Sequence, residues 1–315
     1  MLTYRKRAAG AALAGVLLLA GATACEGGKK DGTGKAAAPS PADRRPSGRT
    51  ADAKDVEALT TAYGKTAAAK SAKVRMAVSV PQSSGGAGAP IETTGVQGWD
   101  PGVVDLTVKG ASAPGLGSGS MRVIGLKDVS YVQLPADSPL ASGGKRWVKL
   151  DLKEAGGTTD VLSKLGGLGD APRQGQDPAR QLALMISSPD LKRVGTEQVA
   201  GADVEHYAGT LTVDELLAAK GSNAVLTPED HGKLVAEMRA AGIQGYTLEV
   251  WLDGAGLPVR TKTVAHTPGG SDAPHKRFDV DASYSEYGAA VTVQAPPENE
   301  TVDLFGMLTK LGEGA

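Results

Sequence analysis

Residues 246–260 read YTLEVWLDGAGLPVR, and this stretch decides the fold class. Apolar and polar side chains alternate through residues 246–252, which is the period of a strand that buries one of its two faces. The Asp-Gly-Ala-Gly segment at 253–256 then supplies turn residues, and a second extended run covers residues 257–266. The stretch therefore predicts an antiparallel hairpin.

The same two-residue period appears on both sides of this hairpin. After it, Phe278, Val280, Ala282 and Tyr284 alternate with Asp and Ser. Ahead of it, strands are predicted at residues 74–80, 91–99, 104–108, 119–124, 129–134, 146–152, 191–199 and 204–211. The result is a meander of about ten antiparallel strands joined by turns rich in Gly, Ser and Pro. Residues 154–176 are Gly-rich and irregular, which predicts a long loop or lid.

Four segments have the spacing of helices instead. The first has apolar side chains every three or four residues: Val56, Leu59, Tyr63 and Ala67. The other three begin with residues that cap a first turn: Asp177 before Pro178, Thr212 with Glu215, and Thr227 before Pro228 with Asp230. Two of these helices then carry an apolar stripe, formed by Leu182, Met185 and Ile186 and by Leu234, Met238 and Ala241. Such stripes are expected to cover one face of the sheet, which makes the fold class α+β.

The amino terminus has the pattern of an export signal. Arg5, Lys6 and Arg7 precede an apolar run at 8–20, which is too short and too rich in Ala and Gly for a good membrane span. Small residues then lead to Cys25, the one cysteine in the sequence. The tetrapeptide Ala-Thr-Ala-Cys at 22–25 resembles the lipobox of bacterial lipoproteins, which implies that Cys25 is lipidated and that residues 1–24 are removed. The alternative is an ordinary signal peptide that leaves a free amino-terminal cysteine.

Residues 25–50 form the predicted link between this anchor and the folded part. They contain Gly, Lys, Ala, Pro and Ser without apolar periodicity, so they cannot bury enough surface to fold. A flexible chain of this length spans on the order of 25 to 30 Å. The segment is therefore expected to be a disordered tether, and residues 51–315 a single domain held at the outer face of the cytoplasmic membrane.

Composition and charge exclude several classes of protein. Hydrophobic residues make up 41% of the chain and charged residues 22%, which is typical of a soluble domain and not of a multi-span membrane protein. The chain has a net charge of −1; the signal carries three positive charges and the tether a net +3, so residues 51–315 carry −7. A nucleic-acid partner is therefore not expected.

Two segments near the carboxyl terminus carry a family resemblance. The hairpin sequence YTLEVWLDGAGLPVR at 246–260 and DASYSEYGAAVTVQAPP at 281–297 resemble the closing strands of actinobacterial lipoproteins of the LppX and LprG type, whose fold is similar to that of LolA. The resemblance implies a large antiparallel sheet curved into a half-barrel, with helices packed on one face. It also implies an apolar cavity that holds the acyl chains of lipids or glycolipids, and it brings no catalytic motif.

The sequence itself contains no convincing catalytic or cofactor motif. The Gly-x-Ser-x-Gly and Gly-x-Gly-x-x-Gly patterns are absent, and Ser142 with Lys145 matches Ser-x-x-Lys only in a loop and without its partner motifs. His231 is followed four residues later by Val235, so a packed or helix-end histidine is expected there. A metal site formed by His266, Asp272 and His275 is disfavoured, because the loop that carries them is expected to be solvated. The prediction is a protein that is not an enzyme and needs no cofactor or metal.

Two functions fit these patterns. The first is a carrier with an apolar ligand, a lipid or glycolipid, in a cavity between helices and sheet. The candidate lining residues are Val74, Val104, Leu106, Leu182, Met185, Leu234 and Met238. A filled core uses the same residue types, so the second function is a scaffold or regulatory lipoprotein that contacts another envelope protein.

Trp147 and Trp251 are predicted to lie on the polar face of the sheet, because each is two residues from a charged side chain of its own strand, Lys149 and Glu249. Residues two apart in a strand point to the same face. The two tryptophans are expected either to pack on Lys or Arg stems or to contact a ligand's edge or a partner protein.

Replacing Cys25 with Ala is predicted to release the protein from the membrane, since the substitution removes the thiol that would carry the lipid. The measurement is cell fractionation with intact mass of the purified protein. Unchanged membrane retention, with no acyl mass on the wild-type chain, would disprove the anchor.

Overall fold

The structure is a computed structural model, and it describes residues 51–79, 90–113, 117–135, 138–151, 177–218, 225–240, 242–267 and 277–306. Its main element is one twelve-stranded sheet. Its strands are β1 (Ser71–Ser79), β2 (Ile91–Trp99), β3 (Gly102–Ala113), β4 (Gly117–Leu126), β5 (Val129–Gln133), β6 (Trp147–Asp151), β7 (Lys192–Val199), β8 (Ala202–Thr212), β9 (Gly245–Leu252), β10 (Pro258–His266), β11 (Arg277–Ser285) and β12 (Thr301–Asp303). The signal, Cys25, the tether and the loop or lid predicted at 154–176 lie outside the described residues.

The strand order is β12-β6-β5-β4-β3-β2-β1-β11-β10-β9-β8-β7. Strands β1–β6 form one meander and β7–β11 a second, and the antiparallel pairing of β1 with β11 joins the two. The predicted hairpin at 246–266 is confirmed as β9 and β10, with the Gly256 N–H donating to the Asp253 carbonyl in the turn. The sheet is open, as the predicted α+β fold class requires.

One strand was not predicted. Strand β12 pairs with β6 and runs parallel to it, whereas the other described pairings in the sheet are antiparallel. It has only three residues, Thr301–Asp303, which is too short to show a two-residue period. Its place depends on contacts far apart in sequence, such as the Arg146 N–H that donates to the Glu300 carbonyl.

The described helices are α1 (Ala53–Ala69), α2 (Pro178–Ile186), α3 (Val213–Ala218) and α4 (Pro228–Ala240). The three predicted caps are confirmed. The Asp177 side chain accepts from the Ala179 N–H at 2.8 Å, and the Asp230 N–H donates to Thr227 Oγ1 at 3.1 Å. Thr212 and Glu215 bond reciprocally, each backbone N–H donating to the other's side chain, as in a capping box.

Helix α2 is buried on more than the predicted stripe. Every residue from Pro178 to Ile186 except Arg180 is buried, because α1 packs on one side and strands β8, β9 and β10 lie on the other. Leu234 and Met238 of α4 are buried as expected, while Ala241 lies outside the described residues. Among the described residues, no helix is long and apolar enough to cross a membrane.

All of these elements belong to the compact unit Pro46–Ala315. The hydrogen bonds and core contacts given for the helices and strands lie inside this range. The range therefore contains the interactions that stabilise its own fold, and we expect it to fold when expressed alone.

Gly95→Ala is predicted to destabilise the protein more than Gly195→Ala. Both glycines have a φ of +156°, but a Cβ at Gly95 would lie 2.1 Å from the Asp105 carbonyl oxygen, whereas nothing lies within 4 Å of one at Gly195. Both substitutions place an alanine at the same φ, but only the one at Gly95 adds a clash. We therefore expect Gly95→Ala to lower the free energy of unfolding by about 1–3 kcal/mol more than Gly195→Ala does. Urea denaturation of residues 46–315 measures it, and equal losses would contradict the close approach of β2 to β3.

Candidate apolar binding site

An apolar row crosses the face of the sheet on which the helices pack, here called the inner face. The register places the following residues side by side on successive strands from β11 to β12: Tyr284, Val74, Gly95, Leu106, Val123, Val132, Val148 and Val302. Burial raises the pKa of the Tyr284 phenol above its ordinary value, so this hydroxyl stays uncharged within the row. This row is therefore apolar on each strand from β11 to β12.

The inner face carries three groups of buried side chains. The helix cluster lies between α1, α2, α4 and strands β8 and β9. The central cluster is built on β1, β3 and β11 from Ala72, Val74, Met76, Val104, Leu106, Ala282 and Tyr284. The meander cluster, on β3–β6, contains Val108, Met121, Val123, Val132, Leu134, Val148, Leu150 and Phe305. The helices make their most extensive strand contacts with β8, β9 and β10, whereas the central and meander clusters are built mainly on other strands.

All seven predicted lining residues are buried, but they fall into two clusters. Val74, Val104 and Leu106 belong to the central cluster. Leu182, Met185, Leu234 and Met238 belong to the helix cluster. None of the seven belongs to the meander cluster, although the alternation in 119–124, 129–134 and 146–152 pointed to those strands. What the sequence did not show was that these short strands continue the same apolar face.

A recess of about 250 Å³ opens between helices α1, α2 and α4. Ala183, Leu184 and Leu234 form part of its apolar wall, and charged side chains stand around it. Arg180 pairs with Glu237 at 2.5 Å across α2 and α4. This helix recess combines an apolar interior with a charged rim, which suits an amphiphile better than a fully polar ligand.

On the opposite, outer face, Trp251 is only 4% exposed. His206 stacks on its ring at a centroid distance of 4.4 Å, and the Arg260 guanidinium lies 4.8 Å from the ring centroid on the neighbouring strand. The indole N–H donates to Glu197 Oε2 at 2.9 Å. The prediction that Trp251 lies on the polar face and packs against a basic side chain is confirmed.

His206 is held between two carboxylates on that face. Its Nδ1 lies 2.7 Å from Glu197 Oε1, and its Nε2 lies 3.2 Å from Glu249 Oε2, at an angle too bent for a hydrogen bond. Trp147 lies on the outer face with Lys149, whose ammonium pairs with Asp303 at 3.0 Å. The outer face thus carries a polar network, and the Trp251 ring within it is covered by this protein's own side chains.

His231 and His266, the other histidines among the described residues, each contact a group of this protein. His231 Nε2 lies 2.5 Å from the Leu216 carbonyl oxygen, as expected for a packed helix histidine. His266 Nε2 contacts Thr247 Oγ1 at 2.8 Å, while Asp272 and His275 lie outside the described residues. Within the described ranges, no three His, Cys, Asp or Glu side chains are grouped so that they could hold a metal ion.

Comparison with known proteins gives two sequence relatives and a structural neighbour. An uncharacterized 31.2 kDa protein encoded in the rplA–rplJ intergenic region of Streptomyces griseus is 30% identical over 272 residues, covering 82% of each chain. A candidate lipoprotein of Streptomyces coelicolor is 24% identical over 232 residues, which are 70% of this chain and 67% of that protein. The crystal structure of the Mycobacterium tuberculosis lipoprotein LppX covers 77% of this chain and 100% of its own, with 14% identity and a TM-score of 0.45. No protein-family model matches the chain.

The fold and the inner face define an α+β protein in which one open sheet carries an apolar face under a partial helical layer. Within that class, the chain belongs to the family represented by the Streptomyces griseus protein.

Trp251→Phe is predicted to weaken the acid dependence of stability, whereas Trp147→Phe is not. The hydrogen bond from the Trp251 indole N–H lowers the pKa of Glu197 below its ordinary value of 4.5, and the hydrogen bond with His206 has a smaller effect in the same direction. A carboxylate with a lowered folded-state pKa stabilises the protein fully above its unfolded pKa, and this contribution is lost as the pH falls through the folded value. Thermal melting from about pH 6 to pH 3 tests it. Identical pH profiles for the two Phe variants would contradict the prediction.

Proposed function

We propose that this chain is a membrane-anchored extracytoplasmic lipoprotein that binds or carries an apolar ligand, a lipid or glycolipid, between the helices and the inner face. The observation that carries the proposal is the apolar row that runs from Tyr284 through Leu106 to Val148. A wall of this length gives an extended acyl chain continuous apolar contact across neighbouring strands. The helix recess adds a partly apolar opening with a charged rim among the helices that pack on this face.

The energetics favour such a ligand. Each methylene removed from water contributes roughly 0.8 kcal/mol, so a chain of about fourteen carbons offers on the order of 10 kcal/mol before ordering costs. The outer face of the sheet is polar, since charged side chains on its neighbouring strands pair with one another. It therefore remains in contact with water. An apolar ligand therefore gains more binding free energy on the inner face than on the outer face.

The anchor places this activity at the membrane surface. Cys25 in its lipobox would hold the domain at the outer face of the cytoplasmic membrane, and the tether would let it reach lipid. A Streptomyces coelicolor relative carries the description of a lipoprotein, which supports this location. The domain acts as a binding protein in this proposal, and the chemistry of its sites requires no catalysis.

Residues 46–315 are predicted to copurify with lipid, and Leu106→Trp or Met185→Trp is predicted to reduce its binding. Leu106 lies on β3 in the central cluster and Met185 on α2 in the helix cluster, so the two substitutions add a bulky ring to each of the two clusters that contain the predicted lining residues. The control is Thr107→Trp, which adds the same ring to β3 on its outer face. Native mass spectrometry with lipid extraction, and uptake of a fluorescent fatty acid, measure occupancy.

Circular dichroism of each variant separates lost binding from lost folding. If the wild-type domain yields no lipid and takes up no fatty acid, the carrier function is wrong. A scaffold or regulatory lipoprotein with a filled core is then the better interpretation. If Thr107→Trp lowers uptake as much as Leu106→Trp, the ligand does not lie on the inner face.

A further inference from the structure

A second recess, of about 180 Å³, lies at the end of β2 and β3 nearest the start of α2. Its walls include Gln97, Trp99, Val104, Lys127 and Asp177, together with backbone at three glycines. We call it the Gln97 recess. Val104 also belongs to the central cluster, and Asp177 also lines the helix recess. The Gln97 recess therefore shares one wall residue with the central cluster and one with the helix recess.

Gln97 is the unusual side chain in this recess. It is 3% exposed and lies on the inner face, where its cross-strand neighbours are Ala72 and Val104. Its Oε1 is buried and accepts no hydrogen bond from the described residues. A buried acceptor without a donor is destabilising, so its retention inside a recess indicates a group that is supplied from outside the chain.

The other walls indicate the chemistry of that group. The Asp177 carboxyl accepts from the Ala179 N–H, and burial raises its pKa above the ordinary value. Lys127 is exposed, and it and Asp177 are the two ionisable side chains that line the recess, so the walls carry little net charge. Hydroxyl groups can donate to the Gln97 amide and the Asp177 carboxyl and accept from Lys127, whereas an anion would face the carboxyl.

Apolar walls complete the recess. Trp99 packs against the central cluster, and its indole N–H donates to the Ala67 carbonyl at 3.3 Å, which fixes the ring. The ring and Val104 offer C–H contacts beside the polar atoms. A wall of this kind suits a ring or chain whose two sides differ, with hydroxyls toward Gln97 and carbon toward Trp99.

We propose that the Gln97 recess binds an uncharged, hydroxyl-rich head group, a sugar or polyol, whose apolar part lies along the inner face. The position of the apolar part rests on the proposed carrier function. Recognition of the hydroxyls rests on Gln97, Asp177 and Lys127 alone. The two parts can therefore be tested with different probes.

The head group is tested without any acyl chain. Residues 46–315 labelled with ¹⁵N-tryptophan are titrated with methyl β-glucoside, and the indole N–H resonances are followed by NMR. The resonance of Trp99 is expected to shift and saturate, while those of Trp147 and Trp251 on the outer face do not move. Gln97→Met keeps the length of the side chain and removes its amide, so the apparent affinity is expected to fall about tenfold.

Thr93→Val is the matched control. Thr93 is a buried polar residue on the same strand and the same face as Gln97, but it lies outside the recess. Its substitution is expected to leave the response of Trp99 unchanged. An equal loss in both variants would show a general effect on β2 and overturn the proposal.

Three probes of equal chain length separate the head group from the carrier function. Dodecyl glucoside, dodecanoate and dodecyl phosphate are compared by native mass spectrometry on the wild type and on Gln97→Met. Dodecyl glucoside is expected to bind most tightly and to lose about tenfold in Gln97→Met, while dodecanoate binding stays the same. Tighter binding of dodecyl phosphate would overturn the proposal.

The remaining outcomes are distinct. One outcome is that dodecanoate binds but Gln97→Met changes the binding of neither methyl β-glucoside nor dodecyl glucoside. The recess then holds only water, so the head-group proposal fails while the carrier function stands. If methyl β-glucoside shifts Trp99 through Gln97 but no dodecyl probe binds, the recess is confirmed and the carrier function fails.

Discussion

The antiparallel pairing of β1 with β11 is the constraint on which the rest of the structure depends. Val74 lies opposite Tyr284, and Val78 lies opposite Val280, although each pair is separated by some two hundred residues in the chain. This pairing joins the amino-terminal meander to the carboxyl-terminal one. Its register places the alternate apolar residues of both meanders on the same face of the sheet. A slip of one residue would place Val74 and Met76 on the outer face, so the register is fixed by burial of the central cluster.

Once that register is set, the two faces have different roles. The inner face continues as an apolar row into β6 and β12 and carries the helices at its other end. The outer face is linked strand by strand, from Glu197 on β7 through His206, Trp251 and Arg260 to Asp281 on β11. Because each of these contacts joins side chains of neighbouring strands, the outer network reinforces the register that the inner core selects.

The candidate functional features follow from where the helices are placed. Helix α2 is buried on nearly all sides over β8–β10, and its capping residue Asp177 stands between the helix recess and the Gln97 recess. One residue thus begins the helix and also lines two openings of the inner face. The arrangement brings apolar walls and a few polar groups together at the edge of the helical layer, which is the usual composition of a small-molecule site.

The elements that could be predicted from the amino-acid sequence are those that local interactions control. The alternation in 246–252 and 278–284 predicted β9 and β11, and the Thr212–Glu215 pair predicted the start of α3, because strand period and helix caps involve residues only a few positions apart. The three-dimensional fold was needed to show that β12 runs parallel to β6, that the seven predicted lining residues divide between two clusters, and that Trp251 is covered by His206 and Arg260. It also placed Gln97, whose Oε1 accepts no hydrogen bond from the described residues, in the same recess as Asp177, some eighty residues away. These features depend on which strands become neighbours, and strand pairing between distant segments leaves no periodic signal in either segment alone.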